Sequence, residues 1–245
     1  MDTQIIDRQY VHLLRKFGIV FSVEIQDGPQ FPTQEIIQRK DGFTVRLNPS
    51  KFIPGLSYES YVEYNARCVL LPRLVLETER LKMRRLNMTD AEDCFAFLSD
   101  PKGMLLDCCK PFTCMDDAYR QRIALFAERE TQYAIQLKAT GSVIGTVNVF
   151  RDDSRAVEAM EIGYAISPEH QRKGYAFEIL SALVKLLQQE LKLDMIVAGV
   201  LPENIPSIGL LKKLGFCEEG LRHKAIWHEG LDKPVDLVYY YLDRT

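Results

Sequence analysis

No run in this sequence approaches the roughly 18 consecutive apolar residues that a membrane-spanning helix requires, so no membrane span is predicted. Residues 1–16 scatter Asp2, Asp7, Arg8, Arg15 and Lys16 among apolar residues, and they lack the apolar stretch and small-residue cleavage site of a secretion signal. Histidine is scarce, with four in the chain, and the six cysteines include no C-x-x-C pair. Cys108, Cys109 and Cys114 have no histidine near them in sequence, so neither a metal site nor a disulfide framework is predicted. The thiols are read as reduced and the protein as cytoplasmic. Excess positive charge is also missing: the formal net charge of −3 withholds the broad positive field of a phosphate-backbone binder and argues against direct nucleic-acid binding. What is present, 47% hydrophobic and 27% charged residues, is the balance of a globular protein with a core.

Residues 1–72 are dense in turn signals, among them Asp27-Gly28-Pro29, Pro32, Asp41-Gly42, Asn48-Pro49 and Pro54-Gly55. Between them the pattern predicts a helix ending at Gly18, strands over 19–25 and 43–47, and a helix or strand over 34–39. Together these make a small N-terminal α/β appendage whose role the sequence does not reveal. A second domain is predicted over 73–245. It opens with a strand over 80–86, and Thr89-Asp90-Ala91-Glu92 reads as a capping box starting a helix with Ala91, Cys94, Phe95 and Leu98 on its inner face. Asp100-Pro101 ends that helix, and a second begins near Thr113 with Met115, Tyr119, Ile123 and Phe126 on one side. Strands are expected over 132–137, 143–149 and 158–166, and a long amphipathic helix runs from Ala176 to Leu187. A strand over 195–200, a helix over 205–214 stopped by Gly215, and strands over 216–222 and 235–242 complete an α+β domain.

The chemistry concentrates where the apolar strand ending at Ile166 runs into His170-Gln171-Arg172-Lys173-Gly174-Tyr175-Ala176 and then directly into the long helix. Backbone N–H groups at a helix start have no internal partners, and the aligned peptide dipoles place positive potential there. Gly174 removes a side chain that would hold a phosphate away, Ala176 is small, and Arg172 and Lys173 add positive charge, so the loop suits a diphosphate.

Gln171-x-x-Gly174-x-Ala176 resembles the pyrophosphate-binding motif of the GNAT superfamily of N-acetyltransferases. Asn204-x-x-Ser207-x-x-Leu210-x-x-x-Leu214-Gly215-Phe216 follows at the family's expected place. The stretches Leu76 to Leu81, Asp90-Ala91, Ser99-Asp100-Pro101, Glu219 to Arg222, and Asp236 are similar to its RimJ/RimL-type branch. The resemblance implies a mixed, mostly antiparallel sheet with flanking helices and a splayed parallel pair, here the strands over 158–166 and 195–200. It further implies acetyl-CoA as acyl donor, with its pantetheine beside Ala165 and Ile166, its diphosphate on Gln171, Arg172, Lys173, Gly174, Tyr175 and Ala176, and Asn204 and Ser207 near the pantetheine and sulfur. The acceptor would be an amine, on a protein N-terminus or a small molecule, and a homodimer is left open.

Transfer to an amine needs a base, an oxyanion donor and a proton for the thiolate. Glu161 alternates away from Met160, Ile162 and Tyr164 and is the candidate base, the alternative being an ordinary strand-surface carboxylate. Ser207 is the candidate at the sulfur, the alternative being that Asn204 and Ser207 merely cap their helix. Many family members carry a tyrosine acid seven residues after the asparagine, where this chain has Leu211. That departure keeps a second function open, a non-catalytic acyl-CoA-binding sensor. His170, His223 and His228 are read as structural, and Trp227, Tyr239, Tyr240 and Tyr241 as core and rim more readily than as an acceptor pocket.

Overall fold

The computed structural model describes residues 21–25, 34–39, 42–47 and 75–245, apart from positions 130, 153, 191, 192 and 245. The chain divides into two compact units, Met1–Leu74 and Val75–Thr245. In the first, β1 (Phe21–Ile25), β2 (Gln34–Arg39) and β3 (Gly42–Leu47) form a sheet in the order β1-β3-β2. The β1–β3 pair is parallel and the β2–β3 pair antiparallel. Residues 34–39, open in sequence between helix and strand, are a strand, paired antiparallel with β3 from Gln34↔Leu47 to Arg39↔Gly42. The helix expected before Gly18 lies outside the described residues.

The second unit is built on eight strands in the order β10-β11-β9-β8-β7-β6-β5-β4. Short β4 (Leu76–Glu77) precedes β5 (Leu81–Arg85), whose period-two pattern buries Leu81 and Met83. Then come α1 (Ala91–Leu98), α2 (Pro101–Leu106) and α3 (Asp117–Glu128), the meander β6 (Gln132–Leu137), β7 (Val143–Arg151) and β8 (Ala159–Ile166), and α4 (Tyr175–Lys185), continued as a π-helical turn to Glu190. β9 (Met195–Val200), α5 (Ile205–Lys213), β10 (Cys217–His228) and β11 (Lys233–Asp243) complete it. Every ladder is antiparallel except β8–β9. This is the mixed α+β sheet that the resemblance implied.

The helices pack by their apolar stripes. Cys94 and Leu98 of α1, Met104 of α2, and Tyr119 and Ile123 of α3 form one core cluster with Ala134 of β6 and Val143 of β7, and Ala165 of β8 packs against it. Tyr164 points to the opposite face and reaches α5, so the two helical layers sandwich the sheet. In α4, Ile179, Leu180 and Leu183 are fully buried, each stabilising the unit by about 1.5–3 kcal/mol.

Four local expectations are corrected. The capping box is not Thr89 to Glu92: Asn87 accepts from the Thr89 N–H and Asp90 accepts from the Asn87 N–H, so a 3-10 turn leads into α1. Asp100 does not only end α1; its carboxylate accepts from the Gly103 N–H and starts α2, with Pro101 in the first turn, where a missing N–H costs nothing. Met115 lies outside α3 and is exposed, because Asp116 caps that helix. The last hairpin is longer than its apolar pattern, running through Arg222-His223-Lys224 by means of register shifts, with Lys224 at φ 50°.

Asp90 is almost wholly buried and forms a two-pronged ion pair with Arg84, both N–O distances 2.8 Å. Removing one partner of such a pair strands the other charge, so Asp90→Ala should lower stability by about 3 kcal/mol. The double variant Arg84→Met, Asp90→Leu should recover most of that loss, as read from urea unfolding midpoints.

Candidate active site

The site begins where the parallel ladder ends. β8 and β9 pair at Ala159↔Met195, Met160↔Ile196 and Glu161↔Val197 and nowhere further. Both strands continue, each held on its outer edge: β8 by β7 as far as Gly145↔Ile166, and β9 by β11 as far as Val238↔Val200. The inner edges therefore diverge. The Glu161 carboxyl reaches the edge of β9 at Gly199, so a side chain stands where the next backbone rung would form. Position 199 admits it because a Cβ there would stand 3.1 Å from Tyr239 Cζ and 3.4 Å from Glu161 Oε1. Burial, and then the nearby charge of Asp152, push the Glu161 carboxyl above the usual carboxylate range; the Gly199 N–H, Arg222 and Arg155 work against that rise.

A cavity of about 850 Å³ follows the divergence, walled by the ends of β8 and β9, α2, and the starts of α4 and α5. At one end stands the loop before α4. Ser167 is buried with its Oγ 2.9 Å from His170 Nδ1, and Gln171 Nε2 donates to the Ile166 carbonyl at 2.9 Å. Gln171 thus braces the loop against its own strand. Arg172 at φ 61° and Gly174 at φ 82° turn the chain into α4, whose N-cap, Gly174, offers no side-chain acceptor to the first-turn N–H groups.

That loop has an anchor the sequence reading passed over. Arg80 donates from Nη1 to the Lys173 carbonyl at 3.1 Å and from Nε to Glu178 Oε2 at 2.6 Å, and its guanidinium lies 4.5 Å over the Tyr175 ring. Glu178 also accepts from Thr78 Oγ1 at 2.6 Å and from the Arg80 N–H at 2.9 Å. Burial works against ionisation of Glu178, yet these donors hold it below the usual carboxylate range. The Thr78-x-Arg80 pair was visible in the sequence, but its partner Glu178 lies far along the chain.

At α5, Asn204 caps the helix, its Oδ1 accepting from the Ser207 N–H at 3.2 Å. Capping is thus part of what Asn204 does. Ser207 Oγ is 2.8 Å from the Tyr164 hydroxyl, which spans from the β8 side of the cleft. Burial raises that hydroxyl to about 12, with the Asp107 charge a lesser contribution in the same direction. Leu211 is fully buried. The structure thus gathers Glu161, Ala165, Ile166, Gln171, Arg172, Gly174, Tyr175, Ala176, Asn204 and Ser207 on one cavity, while Lys173 does not line it, its carbonyl being held by Arg80. It adds Tyr164 and Asp107, which sequence reasoning missed because periodicity marked the first as core and nothing marked the second.

The residues set aside find structural partners. His228 is buried and accepts from the Leu231 N–H, and His223 pairs with Asp236 at 2.9 Å. Tyr240 is buried with its hydroxyl donating to Glu218, while Trp227 is exposed. Among the described residues no cluster of three or more His, Cys, Asp or Glu could hold a metal ion.

In the second unit the parallel β8–β9 pair splays beside an α4 start that carries no side-chain cap. The family model described as an acetyltransferase (GNAT) domain matches residues 80–217. The chain is 36% identical over 151 residues to the uncharacterized N-acetyltransferase p20 of Bacillus licheniformis, covering 60% of this chain and 84% of that one. It is 26% identical over 172 residues to the [ribosomal protein uS5]-alanine N-acetyltransferase of Escherichia coli, covering 65% and 87%. A GNAT-family acetyltransferase structure from Bacillus anthracis superposes with a TM-score of 0.62 at 26% identity, covering 70% of this chain and 99% of that one. This chain belongs to the GNAT acetyltransferase family.

The raised Glu161 carboxyl carries a sign that can be checked. A carboxyl whose folded pKa exceeds its unfolded pKa contributes fully to stability below the unfolded value and loses that contribution as pH rises through the folded one. Glu161→Gln, neutral throughout, should match the native protein in acid and exceed its melting temperature near pH 7. A carboxyl ¹³C titration should place Glu161 above ordinary glutamates.

Proposed function

We propose that the protein transfers the acetyl group of acetyl-CoA to a primary amine, on a protein N-terminus or a small molecule, by direct attack in a ternary complex in the cytoplasm. The observation that carries this reading is the parting of β8 and β9 after Glu161↔Val197, with a cavity between them that runs from the α4 loop to Ser207. Acetyl-CoA fits the donor set: its diphosphate would lie on the first-turn N–H groups of α4 with Gly174, Tyr175 and Ala176, and beside Arg172 and Lys173. Its pantetheine would follow the free edge of β8 near Ala165 and Ile166, held on the other side by Asn204, and its sulfur would lie near Ser207. When bound it supplies the activated acyl group; the protein supplies position and proton handling.

In this reading Glu161, directly or through water, takes a proton from the acceptor nitrogen. The nitrogen lone pair forms the new bond to the thioester carbonyl carbon, and collapse of the tetrahedral species breaks the C–S bond. The departing thiolate is stabilised by a hydrogen bond from the Ser207 hydroxyl, which is joined to Tyr164, and takes its proton through water, balancing the one that Glu161 removed from the acceptor nitrogen. A base poised above the usual carboxylate range suits a reaction near neutrality. The uS5-alanine activity named for the Escherichia coli relative supports a protein N-terminus as one acceptor to test.

Two measurements test the reading. Gly174→Glu forces an L residue into left-handed backbone and sets an anion against the diphosphate, so CoA affinity by calorimetry should fall about 100-fold, or about 3 kcal/mol. Unchanged affinity would exclude the loop. Glu161→Gln should leave CoA affinity intact and lower the rate of thiol release with an amine by about 10²–10⁴-fold. In the native protein that rate should decline in acid as Glu161 protonates. CoA binding without turnover over a broad amine panel would instead identify a sensor.

A further inference from the structure

Tyr164 and Ser207 meet across the opening left by the parted strands. Tyr164 stands on β8 three residues beyond the last parallel rung, its backbone fixed by pairing with Val147 of β7. Ser207 stands at the third position of α5, the helix that follows β9. Both line the cavity, and their hydroxyl oxygens are 2.8 Å apart. The Ser207 N–H is taken by Asn204 Oδ1, and among the described residues the Ser207 Oγ has no hydrogen-bond partner besides Tyr164. Two hydroxyls carry two hydrogens, and a single contact between them holds only one. The direction of that bond therefore decides where the other hydrogen points.

The direction follows from the acceptors on offer and from the chemistry of the donors. The Tyr164 hydroxyl faces two acceptors on Ser207, the Oγ at 2.8 Å and the carbonyl at 3.5 Å. The first is an ordinary O–H···O distance and the second lies beyond that range. A phenol is a stronger acid than an alkyl alcohol and so the better donor, while the alkyl oxygen is the better acceptor. Burial raises the Tyr164 hydroxyl to about 12, so it keeps its hydrogen throughout the neutral range. With Tyr164 donating, the Ser207 hydrogen is left for the cavity. The reverse arrangement would hold the Ser207 hydrogen on the phenol and leave the phenol's own with only the distant carbonyl. Leu211, one turn further along the same face of α5 and fully buried, has no hydrogen to donate.

We propose that Tyr164 is a positioning residue for departure of the thiolate: its hydroxyl donates to Ser207 Oγ and thereby turns the Ser207 hydrogen toward the sulfur of the acyl donor. The inference rests on the acyl-transfer reading. Neither hydroxyl gives up its proton in the cycle; the pair only orients one hydrogen bond, and the thiolate is protonated through water. Tyr164 acts through Ser207, so its effect disappears when the Ser207 hydroxyl is absent.

The test uses the full chain. Calorimetric CoA affinity measured across pH, against desulfo-CoA, which lacks the sulfur, reads ionisation of the bound thiol without any acceptor. In the native protein that thiol should ionise at lower pH than in free CoA. Tyr164→Phe, which keeps the ring, and Ser207→Ala should each raise its ionisation by about one pH unit. Each should also slow single-turnover thiol release from acetyl-CoA by about tenfold, with an amine the native protein acetylates among an alanine-terminated peptide, n-butylamine and spermidine. The double variant should be no slower than Ser207→Ala alone, and desulfo-CoA affinity should stay within about twofold in all three. The proposal is overturned if Tyr164→Phe leaves thiol ionisation and rate as in the native protein, or if its effect adds to that of Ser207→Ala. It is also overturned if Tyr164→Phe weakens desulfo-CoA as much as CoA, the mark of a mere strut between β8 and α5. A native protein that binds CoA but acetylates none of the amines would defeat the acyl-transfer reading, and this inference with it.

Discussion

The interruption of one ladder governs this molecule. β8 and β9 are parallel neighbours for three rungs, ending at Glu161↔Val197, and each is then bound only by its outer neighbour. Continued pairing would have closed the sheet and removed the cavity. Gly199, half-buried at the opening, has no backbone rung to β8. The Glu161 carboxyl stands beside that edge, and position 199 leaves the room it needs. One side chain thereby keeps the cleft open and places an ionisable group at its apex.

The loop at the other end of the cavity rests on a different device. Two left-handed residues on either side of Lys173, Arg172 and Gly174, turn the chain into α4 but do not hold themselves in place. Arg80 does so from the turn between β4 and β5, gripping the Lys173 carbonyl while Glu178 grips Arg80. Because Glu178 lies in the first turn of α4 and also accepts from Thr78, the start of that helix is tied to β5 and the turn before it. An exposed ion pair alone contributes little to stability. Here geometry is what the pair supplies, through four hydrogen bonds that converge on one turn.

How legible each part was in sequence follows from how far apart its components lie. The strand-loop-helix around Gly174 and the cap at Asn204 are local, so neighbouring residues carried them, and period-two alternation recovered β6, and a short apolar run β9, with their full bounds. Helix starts were less legible, since Asn87, Asp100 and Asp116 competed with neighbouring Thr and Asp residues for the same role. Residues brought together by the fold were invisible. Tyr164 obeys the alternation of a core strand, and only its hydroxyl, reaching Ser207, departs from that role. Asp107 sits in a segment whose neighbouring cysteines drew attention as thiols, and its place on the cavity wall is a property of three dimensions.

Glu161 shows why stability and chemistry pull in different directions at the apex. A neutral hydrogen-bonding side chain such as glutamine could accept from Gly199 and keep the rung without the cost of a buried charge. A valine could let the ladder extend, and the cleft would narrow. Glutamate is the choice that retains the opening while accepting a carboxyl made more basic by burial, with Arg155 and Arg222 close enough to limit that shift. Arg155 is itself held by Asp152 and Glu219, and Arg222 stacks 4.2 Å over Tyr239, so the opposing charges are fixed in place. A surface carboxylate would need none of this surrounding structure. Our proposal that Glu161 moves a proton rests on that surrounding structure.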